Sequence, residues 1–282
     1  MSCFINILFF LTAATIKVSG WSDQLYEAIN NFAGRSRYLD QLIDLPLESN
    51  LVKSALIGAC FLFVWLSGKA EAETAKRRRI LLITVLASLC VIATTKTLSQ
   101  TVFLPRPFIQ SQKIFHLEND RLVESARLAY RVPLDDENQK AFKALQRGEV
   151  IQNDLGSFPS DHSGFFMALA FGVFLACRSV GLIAVLWTFF ITLGSRVITG
   201  QHSPLDIIVG SLIGIAILLA LQVIVGKLGK RFVDPIVGWT LRHSALSSAL
   251  LFLFIFEAVN TLEDVRHIAK IFTEIGKHLI RG

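Results

Sequence analysis

Six long apolar runs, at about 51–67, 80–103, 163–177, 181–198, 205–226 and 244–259, constrain this chain more than any other feature of its sequence. A bilayer core of about 30 Å is crossed by a helix of about 20 apolar residues, because in hydrocarbon every backbone N–H and C=O must be paired within the segment. The runs meet or approach that length, and the shorter ones span where flanking side chains snorkel or the bilayer thins. Of the 282 residues, 52% are hydrophobic and only 18% charged, outside the range of soluble domains. The expected fold is therefore all-α, a polytopic helical bundle with the bilayer as its surroundings. A further run, about 3–16, lacks a positive leading region and a clear small-residue cleavage site. It is expected to be an uncleaved first helix rather than a secretory signal.

A net charge of +6 raises nucleic acid as a partner, but the cations cluster between the apolar runs and form no aromatic-interleaved patch. No nucleic-acid partner is expected. The pattern reads as topology. Lys69, Lys76, Arg77, Arg78 and Arg79 crowd the short 68–79 connection, Arg178 separates the next pair of runs, and Lys227, Lys230, Arg231 and Arg242 fill 227–243. These three connections alternate so as to share one side, which the positive-inside rule makes cytoplasmic. The 104–162 connection carries eight Lys and Arg residues, spread over far more chain. The cysteines, Cys3, Cys60, Cys90 and Cys177, lie within or at the edges of apolar runs. They read as small buried hydrophobes and spell neither a metal site nor a disulfide.

Three polar motifs then fall at one face. With 68–79 inside, 80–103 runs outward, 163–177 inward, 181–198 outward and 205–226 inward. Arg106 follows the end of one run, His162 precedes the next, Ser195 and Arg196 close the outward run, and His202 precedes the last. Residues 20–50 alternate apolar and polar side chains and are expected to form one or two short amphipathic helices at the outer interface. In the polar 108–156 stretch, Asp135 is a candidate cap for a helix ending at Gly148; the stretch is either a small cover over the site or a solvated loop. The tail after Leu262 reads as an amphipathic helix of alternating charge.

Ser195-Arg196, His202 and Asp206 place a cation, a nucleophile and a carboxylate within about a dozen residues, the set that chemistry on phosphate requires. His202 can attack phosphorus through one ring nitrogen while Asp206, four residues on, accepts a hydrogen bond from the other. The same residues also read as a helix start, with Ser203 as cap, Pro204 in the first turn and Asp206 completing a capping box. Both readings can hold together. Ser160 is likewise a good cap, so a helix beginning at Asp161 would aim unpaired N–H groups at an anion. Arg106 and Arg196 suit bidentate binding of phosphoryl oxygens, against the plainer readings of interface anchor and snorkelling cation.

Lys96 with Arg106-Pro107, Pro159-Ser160-Asp161-His162, and Ser195-Arg196 with His202 and Asp206 resemble the three signature motifs of the type 2 phosphatidic acid phosphatase superfamily, whose fold is shared with vanadium haloperoxidases. The resemblance covers about 96–206. It implies a six-helix core, here 51–226 with the outer loop 104–162, preceded by 1–50 with the first hydrophobic segment. A cytoplasmic loop, an extra hydrophobic helix and the amphipathic tail would follow over 227–282. It implies catalysis by His202, His162 as general acid, and Asp206, with phosphate held by Arg106, Arg196, Ser160, Asp161 and Lys96. Asp161 stands where many members have Gly; its N–H would bind phosphate with the carboxylate turned away. The family's first-motif lysine lies seven residues before the arginine, a position that is Ser99 here. Lys96 is one helical turn from it, about 4.5 Å along the axis, within reach of a long side chain.

No cluster of carboxylates or Cys and His suggests a metal, and no cofactor is expected. The expected activity is metal-independent hydrolysis of a lipid phosphate monoester or diphosphate through a phosphohistidine, at the outer face of a bacterial plasma membrane. The expected partners are the lipid substrate and the bilayer. A lipid phosphotransferase using the same phosphoenzyme is the alternative from the same chemistry. A non-catalytic transporter of anionic lipid or phosphate is the alternative from another class, though it needs no paired histidines.

Overall fold

The structure, a computed structural model, describes residues 20–99, 156–228 and 230–259, together with individual positions between 102 and 147. The expected first helix at 3–16, Cys3, the tail after Leu262 and most of 108–156 lie outside the described residues.

Helices dominate. Residues 20–30 form α1, followed by α2 (Arg37–Glu48), α3 (Asn50–Leu66), α4 (Glu71–Ser99) and the single turn α5 (Pro107–Gln110). After the long connection come α6 (Asp161–Ala176), α7 (Arg178–Trp187), a π-helical stretch Thr188–Leu193, α8 (Gly194–Ile198), α9 (Pro204–Leu228), α10 (Lys230–Arg242) and α11 (Ser244–Val259). Three segments, Glu71–Ser99, Arg178–Ile198 and Pro204–Gly226, are long and apolar enough to cross a membrane alone. Two bent pairs, α2 with α3 at 55° and α10 with α11 at 110°, qualify when each is taken together. The molecule is a multi-pass membrane protein whose spans lie where the apolar runs predict.

α6 is short because of where it sits. Its 16 residues pack against α3, α4, α7 and α9, and every residue from Ser163 to Ala170 is buried. A helix apolar all round and enclosed by protein has no need to match the bilayer by itself. Glycine lets α9 approach it closely. A Cβ at Gly210 would stand 2.1 Å from Ser163 Oγ and 2.3 Å from the Ser160 carbonyl oxygen, and one at Gly214 would stand 2.2 Å from the Gly164 carbonyl. Small residues at such crossings are how helices pack when lipid supplies no hydrophobic driving force between them.

Two local readings change. The 227–243 connection, expected as a loop, is mostly the helix α10. Its basic residues mark its ends in the sequence, but Val237 and Thr240 turn inward, and Thr240 offers its carbonyl to the buried Arg78 Nη1 at 2.5 Å. Arg78 also reaches Ser244 Oγ at 2.8 Å and lies 4.8 Å over the Trp65 ring, while Arg79 pairs with Asp234. This basic end of the bundle is thus a set of bonded helix contacts. The all-α reading also needs one addition, an antiparallel hairpin of β1 (Ile114–Glu118) and β2 (Arg121–Ser125), with Phe115 opposite Glu124 and Leu117 opposite Leu122. Only Asn119 and Asp120 separate the strands in sequence, a spacing that favours a tight hairpin. Of the helix expected from Asp135 to Gly148, Asp136, Gln139, Lys140 and Lys143 are described and helical.

At the other end, α1 and α2 are the two short helices expected before the second run. Asn30 ties them to the bundle: its Nδ2 donates to the Ile198 carbonyl at 2.8 Å and the Arg131 carbonyl at 2.6 Å, and Arg131 N–H donates back to its Oδ1 at 2.6 Å.

Candidate active site

Three chain stretches meet at the end of the bundle opposite Arg78: the turn 199–203 between α8 and α9, the segment 156–162 entering α6, and Arg106 ahead of α5. The turn is shaped by Gly200 at φ 77°, where a Cβ would stand 2.6 Å from the Tyr26 hydroxyl and 3.0 Å from Phe108 N. In the left-handed region a side chain is strained in any case, so both conformation and space require glycine. Phe108 N–H donates to the Gly200 carbonyl at 3.0 Å, and His202 N–H closes back on the Arg196 carbonyl at 3.1 Å.

α9 begins with the reciprocal box read from the sequence. Ser203 N–H donates to Asp206 Oδ2 at 2.7 Å and Asp206 N–H to Ser203 Oγ at 3.3 Å. The box fixes His202 at the rim of the helix, and His202 is buried, 4% exposed. Here the expected partnership changes. His202 Nδ1 bonds the Ser157 carbonyl at 3.0 Å, whereas Asp206 Oδ2 lies 3.9 Å from it, too far for a hydrogen bond. A carbonyl only accepts, so Nδ1 carries the proton and Nε2 keeps its lone pair. Asp206 spends its hydrogen-bonding oxygen on the helix cap. Ser157 is itself fixed, its N–H and hydroxyl both donating to the Leu104 carbonyl at 2.8 and 3.1 Å.

α6 begins at Asp161 with Ser160 as its cap, the Ser163 N–H donating to Ser160 Oγ at 3.3 Å. Asp161 departs from expectation. Its carboxylate is not turned away: Oδ1 accepts from His162 N–H at 2.7 Å and stands 2.8 Å from His162 Nδ1. The short Asp side chain in the first turn folds back on the next residue, as Asx geometry favours. His162 therefore has a carboxylate on Nδ1 and leaves Nε2 as its other ring nitrogen, while Phe166 lies a turn below with the two rings tilted and their centroids 6.3 Å apart.

Arg106 is held by two acceptors, the Gly156 carbonyl at 3.4 Å from Nε and the side-chain oxygen of the buried Gln201 at Nη1. Arg196 is 8% exposed, and its charge acts on His162, His202 and Asp161 alike. Ser195 has a local role, its hydroxyl returning to the Thr192 carbonyl at 3.3 Å. Burial, then the positive charges of Arg106 and Arg196, hold the His202 ring well below the ordinary histidine range.

Lys96 is not brought to this group. It is exposed on the last turns of α4, and Ser99 is exposed beside it, with its hydroxyl on the Lys96 carbonyl at 2.9 Å. The inward position on that turn belongs to Thr95, fully buried against Gly164, and one residue of helix rotates Lys96 away from it. Motif reading missed three participants: the Ser157 carbonyl, Gln201 and the buried Lys53 of α3, whose charge acts on His162. Of these, Lys53 left a signal in the sequence, because an ionisable residue inside an apolar run marks a functional site by default.

Three comparisons bear on this geometry. The PAP2 superfamily matches residues 79–230, more than half of the chain. The bacitracin transport permease protein BcrC of Bacillus licheniformis is 32% identical over 80 residues, which are 28% of this chain and 39% of that protein, so the match spans well under half of the relative. No solved structure matches the chain.

Proposed function

The chain belongs to the PAP2 superfamily, and from that premise we propose that it is a membrane phosphatase which hydrolyses a lipid phosphate monoester or diphosphate through a phosphohistidine. The observation that carries this reading is the asymmetry of the two histidines in what holds each Nδ1. His202 has Nδ1 occupied by a carbonyl and its other nitrogen available as a lone pair, whereas His162 has Nδ1 against a carboxylate. One is prepared to attack and the other to carry a proton.

In the proposed reaction His202 Nε2 forms a bond to phosphorus as the P–O bond to the lipid breaks. The electron pair of that bond goes to the leaving oxygen, which takes the proton of His162. Arg106 and Arg196 hold the three remaining phosphoryl oxygens, whose charge spreads in the transition state. Water then attacks the phosphohistidine, giving its proton to His162 as the P–N bond breaks and its electron pair returns to Nε2. Inorganic phosphate leaves, and both histidines return to their starting states. Asp161, at the start of α6, contributes its backbone N–H to the anion's cradle, whereas the Ser160 N–H is spent on the Asp206 carbonyl and its hydroxyl on the helix cap, so Ser160 orders the start of the helix rather than holding phosphate.

The proposed location is a bacterial plasma membrane, with the site on the face opposite the basic end at Arg77–Arg79; the density of cations there supports it. Purified protein in EDTA, given lipid phosphates and diphosphates without any acceptor lipid, is expected to release inorganic phosphate. The His202→Ala variant is expected to lose about 10³-fold or more of that activity. Undiminished release by His202→Ala would refute the mechanism, and release only on addition of an acceptor lipid would make the protein a phosphotransferase.

A further inference from the structure

Outside the three motifs, Lys53 is a buried lysine whose charge acts on His162. It occupies the first turn of α3, within an apolar helix, and is 7% exposed. Burying an ammonium there is costly unless charges or dipoles answer it. Its backbone is pinned. Trp187 Nε1–H donates to the Val52 carbonyl at 3.1 Å and Thr192 Oγ1 to the Lys53 carbonyl at 2.7 Å, both from the span that ends at Ser195-Arg196. On the other side, Ser54 and Phe166 line one crevice, and Phe166 is the residue one turn below His162. Lys53 is thus held between the helix that carries Arg196 and the helix that carries His162.

The cations of the site are divided between its two histidines. Arg196 acts on both; Arg106 acts on His202, and Lys53, more weakly than Arg196, on His162. In a displacement in which His202 attacks and His162 protonates, the His202 side is the side of the nucleophile and the His162 side that of the leaving group. We propose that Lys53 is a further substrate-binding residue, its ammonium set against the leaving oxygen of the scissile P–O bond. This rests on the phosphatase reading above. As the P–O bond breaks, the leaving oxygen takes the electron pair; Lys53 offsets the charge that builds there while His162 supplies the proton. No atom is transferred to or from Lys53.

A leaving-group role has a signature that a structural one lacks. Lys53 follows two buried carboxylates of α2, Asp40 and Asp44, and a lysine that only balanced their charge would support every substrate equally. A leaving oxygen that is already stable, as in p-nitrophenyl phosphate, needs little help; an alkyl lipid phosphate needs much. The test compares wild type, Lys53→Met, Lys53→Arg and, as a control at the opposite end of α4, Lys76→Met, on both substrates. Lys53→Met is expected to lower kcat on the alkyl phosphate by about 10²-fold and on p-nitrophenyl phosphate by less than about threefold, with Lys53→Arg recovering most of the difference. Equal losses on the two substrates, as from misfolding or a purely structural charge, would overturn the proposal, and so would no loss on either. Failure of the wild type itself to release phosphate from the lipid would instead count against the phosphatase reading.

Discussion

In the proposed mechanism His202 is the nucleophile, and the tautomer it would attack with is set by a backbone oxygen. Because the Ser157 carbonyl takes the Nδ1 proton, the free lone pair is on Nε2, and because burial and two guanidinium groups disfavour the imidazolium, that lone pair persists into acid. The sign follows directly. Protonation removes the nucleophile, and a lowered histidine protonates only at lower pH, so the acid limb of kcat/KM is expected to have its midpoint under about 6.5. A midpoint above that value in a pH–rate profile would contradict the account. At this scale the sequence was legible where the candidate site is built from side chains at short spacing. His162, His202, Asp206, Arg106 and Arg196 are all drawn to one end of the bundle. The Ser157 carbonyl was not legible, since every residue has a carbonyl and only the fold decides which one faces a ring. Gln201 sat unmarked inside the motif it serves, and the place given to Lys96 failed on helical phase: Thr95 faces inward and Lys96 does not.

Among the elements, α6 and α9 hold the two histidines in register. The Ser160 backbone N–H meets the Asp206 carbonyl at 3.3 Å, so the start of one helix is bonded to the start of the other. Gly210 makes that approach possible. Gly210→Ala, with its methyl driven into Ser163 Oγ and the Ser160 carbonyl, is expected to destabilise the protein by about 1–3 kcal/mol. It is also expected to lower kcat more than it raises KM, because the separation of His162 and His202 changes. Thermal unfolding in detergent and steady-state kinetics check the two parts; unchanged values for both would show that the contact has no such role. The spans were legible from hydropathy because the bilayer demands long apolar helices whatever their packing. α10 was not, since its basic ends read as a loop and its inward positions are few. The β1–β2 hairpin was overlooked for a related reason: ten residues of alternation are a weak signal inside a polar connection.

For the molecule as a whole, the basic end and the site end lie at opposite ends of α4, and the proposed orientation puts them on opposite sides of the bilayer. In a cysteine-free background, Arg35→Cys is expected to react with a membrane-impermeant maleimide in intact cells, and Lys76→Cys only after permeabilisation. The reverse pattern would place the site on the cytoplasmic side. An outward site would meet lipid phosphates in the outer leaflet, with α6 enclosed by its neighbours and both histidines at one level. The most direct measurement on the central claim is to mix purified protein with a lipid phosphate radiolabelled at phosphorus, quench in alkaline detergent, and locate the label. The account requires a transient alkali-stable, acid-labile phosphohistidine at His202 that is absent from His202→Gln. Label carried by another residue, or label persisting in His202→Gln, would contradict it.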